Sequence, residues 1–270
     1  MPWLGPINRS ISPSTNLVFD ATTATIENPL IAAGLFALSG DTTNFLTGGR
    51  IATMTGGTKG IVGYTGSSFN DDVTVAVGTF YQNQYAWAKF YRNGALGTYE
   101  HELHVNSSST GPGDQKCYAL AMVAATTYQL SKWIGPFREV GSSTKGPIIL
   151  RSSVSLPATM VTGDYMGLFS EVVGTKRYLR CIYRPLGATG PWDGVGPSDT
   201  VVQTFTDDGT NDGSAGGDAP ENRDPDADGT PTNNTAPLMG GAPGLAFDNS
   251  FTEVLNGGFT EYRAVTKPVA

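Results

Sequence analysis

The residues with most to offer chemically lie in YEHELH (99–104). On a strand, side chains two apart share a face at about 6–7 Å. Glu100, Glu102 and His104 then form one row, while Tyr99, His101, Leu103 and Val105 form the other. Two carboxylates that close to about 5–5.5 Å can serve as nucleophile and general acid in a retaining glycosidase. The plainer reading of the row is a charged, solvated strand face. His101 and His104 are the only histidines. Three apart on a strand, they face opposite ways, and their spacing is not that of a zinc-binding HExxH helix, so no zinc site is expected. The chain has no GxSxG, no GxxxxGK[ST] and no GxGxxG leading into a helix, which removes the usual signals of acyl transfer, NTP hydrolysis and dinucleotide binding.

A second constellation is DPDADG (224–229). Asp224, Asp226 and Asp228 followed by Gly229 reproduce the opening of a calcium loop, with hard oxygen ligands on a tight turn. The twelfth position is Thr235 where a bidentate Glu would complete the loop, and Pro225 and Pro231 stiffen the run. Calcium held by these three aspartates and an acidic, solvated loop both remain open. A third group is aromatic. Trp87, Tyr99 and Trp133, among Tyr85, Phe90, Tyr91, Tyr118 and Tyr178, could line a sugar-stacking groove or pack a sandwich core. Trp192, in the turn-rich GATGPWDGVG, is the better placed for an exposed contact, because loop tips carry binding more often than sheet interiors.

The elements that must position these groups follow from composition and periodicity. The chain has 270 residues, 15% of them charged and 39% hydrophobic, with 35 glycines. That is too apolar for disorder and too poor in charge for a coiled coil. The net charge of −7 is localised. Residues 201–235 hold eight acids against Arg223 alone, leaving sixteen acids and sixteen bases elsewhere. A neutral body with an acidic loop lacks the clustered Lys and Arg that nucleic acid requires. The most apolar stretch, 29–38, is too short to span a bilayer. The opening MPWLGPINRSISPSTN has no secretory pattern. The expectation is a soluble protein without a classical leader, with residues 1–14 as a Pro-containing arm. Cys117 and Cys181, each in an apolar run, read as two buried thiols, with one long-range disulfide as the alternative.

Period-two patterns dominate: DVTVAVGTF (72–80), TYEHELHV (98–105), KCYALAMV (116–123), TYQLSKW (127–133), YMGLFSEVV (165–173), RYLRCIYR (177–184), TVVQTFT (200–206) and GFTEYRAV (258–265). Such runs between Gly, Asn, Ser and Pro are strands and turns. NPLIAAGLFALSG (28–40) fits a short helix or a buried strand. Apolar residues almost vanish over 207–235 and the strand pattern then resumes in GGAPGLAF (240–247). This marks the acidic stretch as an insertion within one domain of residues 15–270. A dozen or so strands predict an all-β, two-sheet antiparallel sandwich.

In order along the chain, GTYEHELHV, QKCYALAMV, YQLSKWIGPF, TGDYMGLFSEV with KRYLRCIYR, and GGAPGLAF with the closing GGFTEYRA resemble the concanavalin A-like (laminin-G-like) jelly-roll superfamily. The resemblance implies that the last strand returns beside the first, and it implies a bias toward glycans. The superfamily's glucanases use a strand motif of Glu, Asp and Glu. Here the central acid is missing and His104 takes the third place, so no catalytic role carries over to Glu100 or Glu102. The long acidic insertion also departs from the pattern.

Three functions fit. The first is a non-catalytic structural or attachment protein at a virion or extracellular surface, as a phage capsid decoration or tail component. It would act as an oligomer or lattice, with the arm gripping a neighbouring subunit. The second is a glycan-binding lectin-like module, with calcium as its cofactor. The third is a glycoside hydrolase or polysaccharide lyase using Glu100 and Glu102. Neither nucleic acid nor membrane is an expected partner.

Overall fold

A computed structural model describes residues 16–20, 36–40, 51–53, 62–64, 72–76, 80–92, 100–108, 115–135, 148–209, 236–248 and 257–269. Among them are fifteen strands and no helix, hence no helix long and apolar enough to cross a membrane. In chain order they are β1 (Asn16–Asp20), β2 (Phe36–Gly40), β3 (Ile51–Thr53), β4 (Val62–Tyr64), β5 (Asp72–Ala76), β6 (Asn83–Arg92), β7 (Glu100–Ser108) and β8 (Gln115–Ala124). Then come β9 (Thr127–Gly135), β10 (Ile148–Ser155), β11 (Tyr165–Val173), β12 (Lys176–Arg184), β13 (Thr200–Asp207), β14 (Ala242–Asp248) and β15 (Gly257–Lys267).

The strands form two antiparallel sheets of a jelly-roll sandwich. The first has eight strands in the order β13-β12-β11-β6-β15-β4-β3, with β1 also paired to β15. The second has seven, in the order β10-β9-β8-β7-β14-β5-β2. The closing strand lies beside the opening one, with Asn16 opposite Val265 and Asp20 opposite Glu261. On its other side β15 runs the length of β6. The two strands flanking the acidic stretch separate: β13 ends the first sheet, and β14 sits between β5 and β7 in the second. Of the run 28–40, residues 36–40 are strand β2.

Alternation decides which side chains of each strand face the space between the sheets. Ala86, Ala88 and Phe90 of β6, Leu103 and Val105 of β7, Tyr118, Leu120 and Met122 of β8, and Leu179 and Cys181 of β12 fill the space between the sheets. A second, smaller core lies on the outer face of the first sheet: Tyr85, Trp87, Tyr165, Phe169 and Ile182, with Trp192 and Val265 against it. Strand β6 is therefore buried on both faces, with Tyr85 and Trp87 outward and Ala86, Ala88 and Phe90 inward, and it sits at the centre of its sheet.

Gly167 of β11 makes this second core possible. It stands opposite Trp87 and Ile182 in the ladder. A Cβ there would lie 2.8 Å from two Trp87 ring carbons and 3.2 Å from Ile182 Cβ. The indole thus occupies the room a side chain would need. Gly167→Ala is expected to destabilise the fold by about 1–3 kcal/mol, as overpacking does. The check is the midpoint of urea unfolding.

Both cysteines are buried and free. Cys181 faces the inter-sheet core, where burial pushes its thiol pKa well up. Charges also enter the interior. Lys132 of β9 reaches across to Asp207 of β13 at 2.6 Å, and Tyr118 donates to the same carboxylate oxygen at 2.6 Å. Lys132 also donates to the Ala236 carbonyl at 2.9 Å, Arg177 to that of Leu238 at 3.0 Å, and the Leu238 amide to Tyr118 Oη at 2.9 Å. This corrects one boundary of the acidic insertion. Asp207 is a buried strand residue that ties the sheets together, because Lys132 and Tyr118 supply the partners a lone acid would lack. The same cluster clamps the chain on both sides of residues 210–235.

Candidate functional site

On β7, Leu103 and Val105 face the inter-sheet core, so Glu102 and His104 project from the outer face of the second sheet. Their cross-strand neighbours are small. His104 stands opposite Ala119 and Gly244, and Glu102 opposite Ala121 and Ala246. His104 Nε2 lies 2.6 Å from Glu102 Oε2, and Cys117 Sγ lies 3.6 Å from His104 Nδ1. Trp133, opposite Cys117 on β9, shares this face.

The row is closed rather than solvated: Glu102 is 4% exposed, Trp133 3%, and His104 and Cys117 are fully buried. Burial lowers the His104 pKa to about 3, so the imidazole is neutral at ordinary pH. A neutral ring satisfies both neighbours when Nε2–H donates to Glu102 and Nδ1 accepts from the Cys117 thiol. A thiolate nucleophile would need the imidazolium as its partner, and burial disfavours that ion. The stability consequence has a definite sign. The unfolded histidine takes a proton near pH 6.5 and the folded one does not. Stability from this group is therefore complete above about pH 6.5 and declines as pH falls toward 3. Urea titrations from pH 7 to 4 should show that decline, and His104→Gln should flatten it.

A different arrangement covers the outer face of the first sheet, where residues 185–199 fold over Trp87. Arg184, at the end of β12, donates from Nε and Nη2 to the two carboxylate oxygens of Asp199 at 2.6 and 2.7 Å, both side chains fully buried. Arg184 Nη2 also donates to the Pro191 carbonyl, and the Gly196 amide donates to Asp199. The guanidinium lies 3.9 Å from the Trp87 ring centroid and 4.8 Å from that of Trp192. Trp87 Nε1 donates to the Trp192 carbonyl at 2.9 Å, and the two rings meet edge-on at 84°. Trp192 is held part-exposed, with the Arg263 guanidinium 4.4 Å from its centroid.

Around this loop, acids and bases alternate along the sheet. Arg180 pairs with Glu171, Arg263 with Glu261, and Lys267 with Asp193. Tyr85 donates to Glu171 and Tyr165 to Glu261. Burial, and then the adjacent carboxylate, push both phenols above their ordinary range. Lys267 holds the Asp193 carboxyl below its usual value.

Glu102 and His104 are thus brought together, and Trp133 lies on their face. Trp87 belongs to the other sheet, where it is fully buried beneath Arg184 and supports Trp192 instead of presenting a free face. Tyr99, the Glu100 side chain and the aspartates Asp224, Asp226 and Asp228 lie outside the described residues, as does the arm 1–14. Among the described residues, no group of three or more His, Cys, Asp or Glu is placed to hold a metal ion. The sequence reading missed Arg184, Asp199 and Arg263, whose only signal was a basic strand end followed by a turn-rich loop containing an acid.

No family model matches the chain, and no curated protein does. Three solved structures align with the chain at low identity and low TM-score. A β-glucanase of Bacillus licheniformis is 8% identical with a TM-score of 0.41, covering 94% of this chain and 99% of its own. The CBM2 module of the evolved Dit of Lactobacillus casei BL23 phage J-1 is 12% identical with a TM-score of 0.32, covering 95% and 92%. Scytalido-glutamic peptidase is 7% identical with a TM-score of 0.26, covering 72% and 71%. The jelly-roll assignment rests on strand order and register in this chain, not on these likenesses.

Proposed function

We propose that the chain is a non-catalytic attachment or assembly module, a surface component of a phage virion of the capsid-decoration or tail kind. The observation that carries the non-catalytic part is the closed β7 face. Glu102 is buried against a neutral His104, so the acid best placed to attack or protonate a glycosidic bond is already engaged. The polar groups on the outer face of the first sheet are likewise engaged with one another. Such a molecule acts through its surfaces. In this reading residues 1–14 dock on a neighbouring subunit, the aspartates of 224–228 take calcium, and the protein resides at a virion or extracellular surface. Antibody against the chain, applied to purified particles and viewed by electron microscopy, should label a regular array. Label confined to particle-free supernatant would contradict the assignment.

Glycan binding is the second reading, favoured by Trp192, held part-exposed on a rigid loop beside the exposed Lys267–Asp193 pair. A glycan array with and without a chelator tests it, and Trp192→Ala should abolish any signal. The hydrolase or lyase reading, on Glu100 and Glu102, requires that Glu102→Gln remove turnover of some glycan.

A further inference from the structure

The space between the sheets turns polar at one end. Past Leu179 on β12 and Leu130 on β9, alternation brings Arg177 and Lys132 to the inward face, and both are fully buried. Asp207 stands opposite Arg177 in the ladder, but its carboxylate bonds Lys132, Tyr118 and the Gly209 amide instead. Arg177 is left with two carbonyls: Nε donates to Leu238 at 3.0 Å and Nη1 to Gln82 at 2.8 Å. Two cations thus share one carboxylate, and one positive charge is in excess. A guanidinium does not shed its proton to escape such a site, although burial lowers its pKa. Arg177 Nη2 is buried with no hydrogen-bond partner.

A second orphan lies close by. Ser107 Oγ is buried and has no partner either. Ser107 is opposite Ala242, a residue of the inter-sheet core, so the two share the inward face. It follows Asn106, whose Nδ2 donates at 3.1 Å to the same Gln82 carbonyl that Arg177 Nη1 bonds. The neighbouring polar groups are matched: Gln84 Oε1 accepts from the Asn106 amide, and Asn106 Oδ1 from the Ser170 hydroxyl.

We propose that a monovalent inorganic anion, chloride in ordinary buffers, binds between Arg177 Nη2 and Ser107 Oγ and neutralises the buried excess charge. The charge selects this ligand. Water would satisfy both donors and leave the cation uncompensated, which is costly in an interior. A dianion would reverse the excess, and a metal cation would be repelled. Buried orphan donors in a native fold commonly mark a bound water or ion, and here the surplus charge decides between them. The site goes beyond the attachment reading and stands whether or not the chain belongs to a virion.

Exchange of chloride for gluconate at constant ionic strength tests it on the full chain. An ion that binds only the folded state should raise the folding equilibrium constant about tenfold for each tenfold rise in its concentration above its Kd. Urea unfolding should show that gain with chloride. Arg177→Met should lose the dependence, and Ser107→Ala, a smaller change, should move its onset to higher chloride. Crystals grown in bromide should show an anomalous peak within hydrogen-bonding reach of Arg177 Nη2. Wild-type stability indifferent to the exchange, a full chloride response in Arg177→Met or Ser107→Ala, or a crystal with only water or a carboxylate of the chain beside Nη2 would each overturn the proposal.

Discussion

Asp199→Ala is expected to destabilise the protein by about 3–5 kcal/mol, the cost of leaving one member of a buried ion pair without its partner. Arg184 would keep its charge in a site with no exposure, losing two charge-assisted bonds of 2.6 and 2.7 Å. The Gly196 amide would lose its acceptor as well. The damage should reach Trp192, because its loop is fixed through Arg184 and through the Trp87 indole. The checks are the urea midpoint and the emission maximum of the tryptophans, which should move to the red as Trp192 gains water. Arg184→Lys, with Asp199 in place, should also destabilise the fold, since a lysine ammonium neither forks onto a carboxylate nor lies flat against an indole.

Asp207→Ala is the second large effect, again about 3–5 kcal/mol. It strips Lys132 of its carboxylate and Tyr118 of its acceptor in one step. Burial already lowers the Lys132 pKa, against the opposing pull of Asp207. Without the acid, folded Lys132 should lose its proton more readily than the unfolded chain does. The unfolded state then binds more protons, and the variant's stability should recover as pH rises toward the ordinary lysine range. The double variant Lys132→Met, Asp207→Leu should lose much less than Asp207→Ala, because an apolar pair leaves no buried charge behind. Thermal unfolding of the wild type and both variants across pH 6–10 checks both statements.

These effects mark what sequence could and could not reveal. The alternation in YEHELHV places Leu103 and Val105 inward and Glu102 and His104 outward, as found, because the period of a strand is a local property. The same pattern says nothing about whether an outer face is covered, so Glu102 and His104 read as solvated when they are buried. Strand β6 escaped notice for the opposite reason: with both faces buried it lacks the polar alternation that marks a half-exposed strand. Asp207 looked like the first member of an acidic run, since its partner Lys132 is 75 residues away and no spacing rule links them. Arg184 and Asp199 are only 15 apart, yet their pairing depends on how the loop between them folds back over Trp87. Composition and periodicity nevertheless point to two sheets, and the resemblance to the jelly-roll superfamily implies the return of the last strand beside the first, which register confirms from Asn16 to Asp20.

Among the described residues, the closed row of Glu102, His104 and Cys117 holds the imidazole neutral and out of solvent. That closure is tested most directly at His104 by NMR of the ring nitrogens, with His101→Gln used to assign the two histidines. One ring should be protonated at Nε2 only, with shifts that stay constant from pH 8 to 4.5. A His104 ring that titrates near pH 6.5, in open exchange with water, would contradict it.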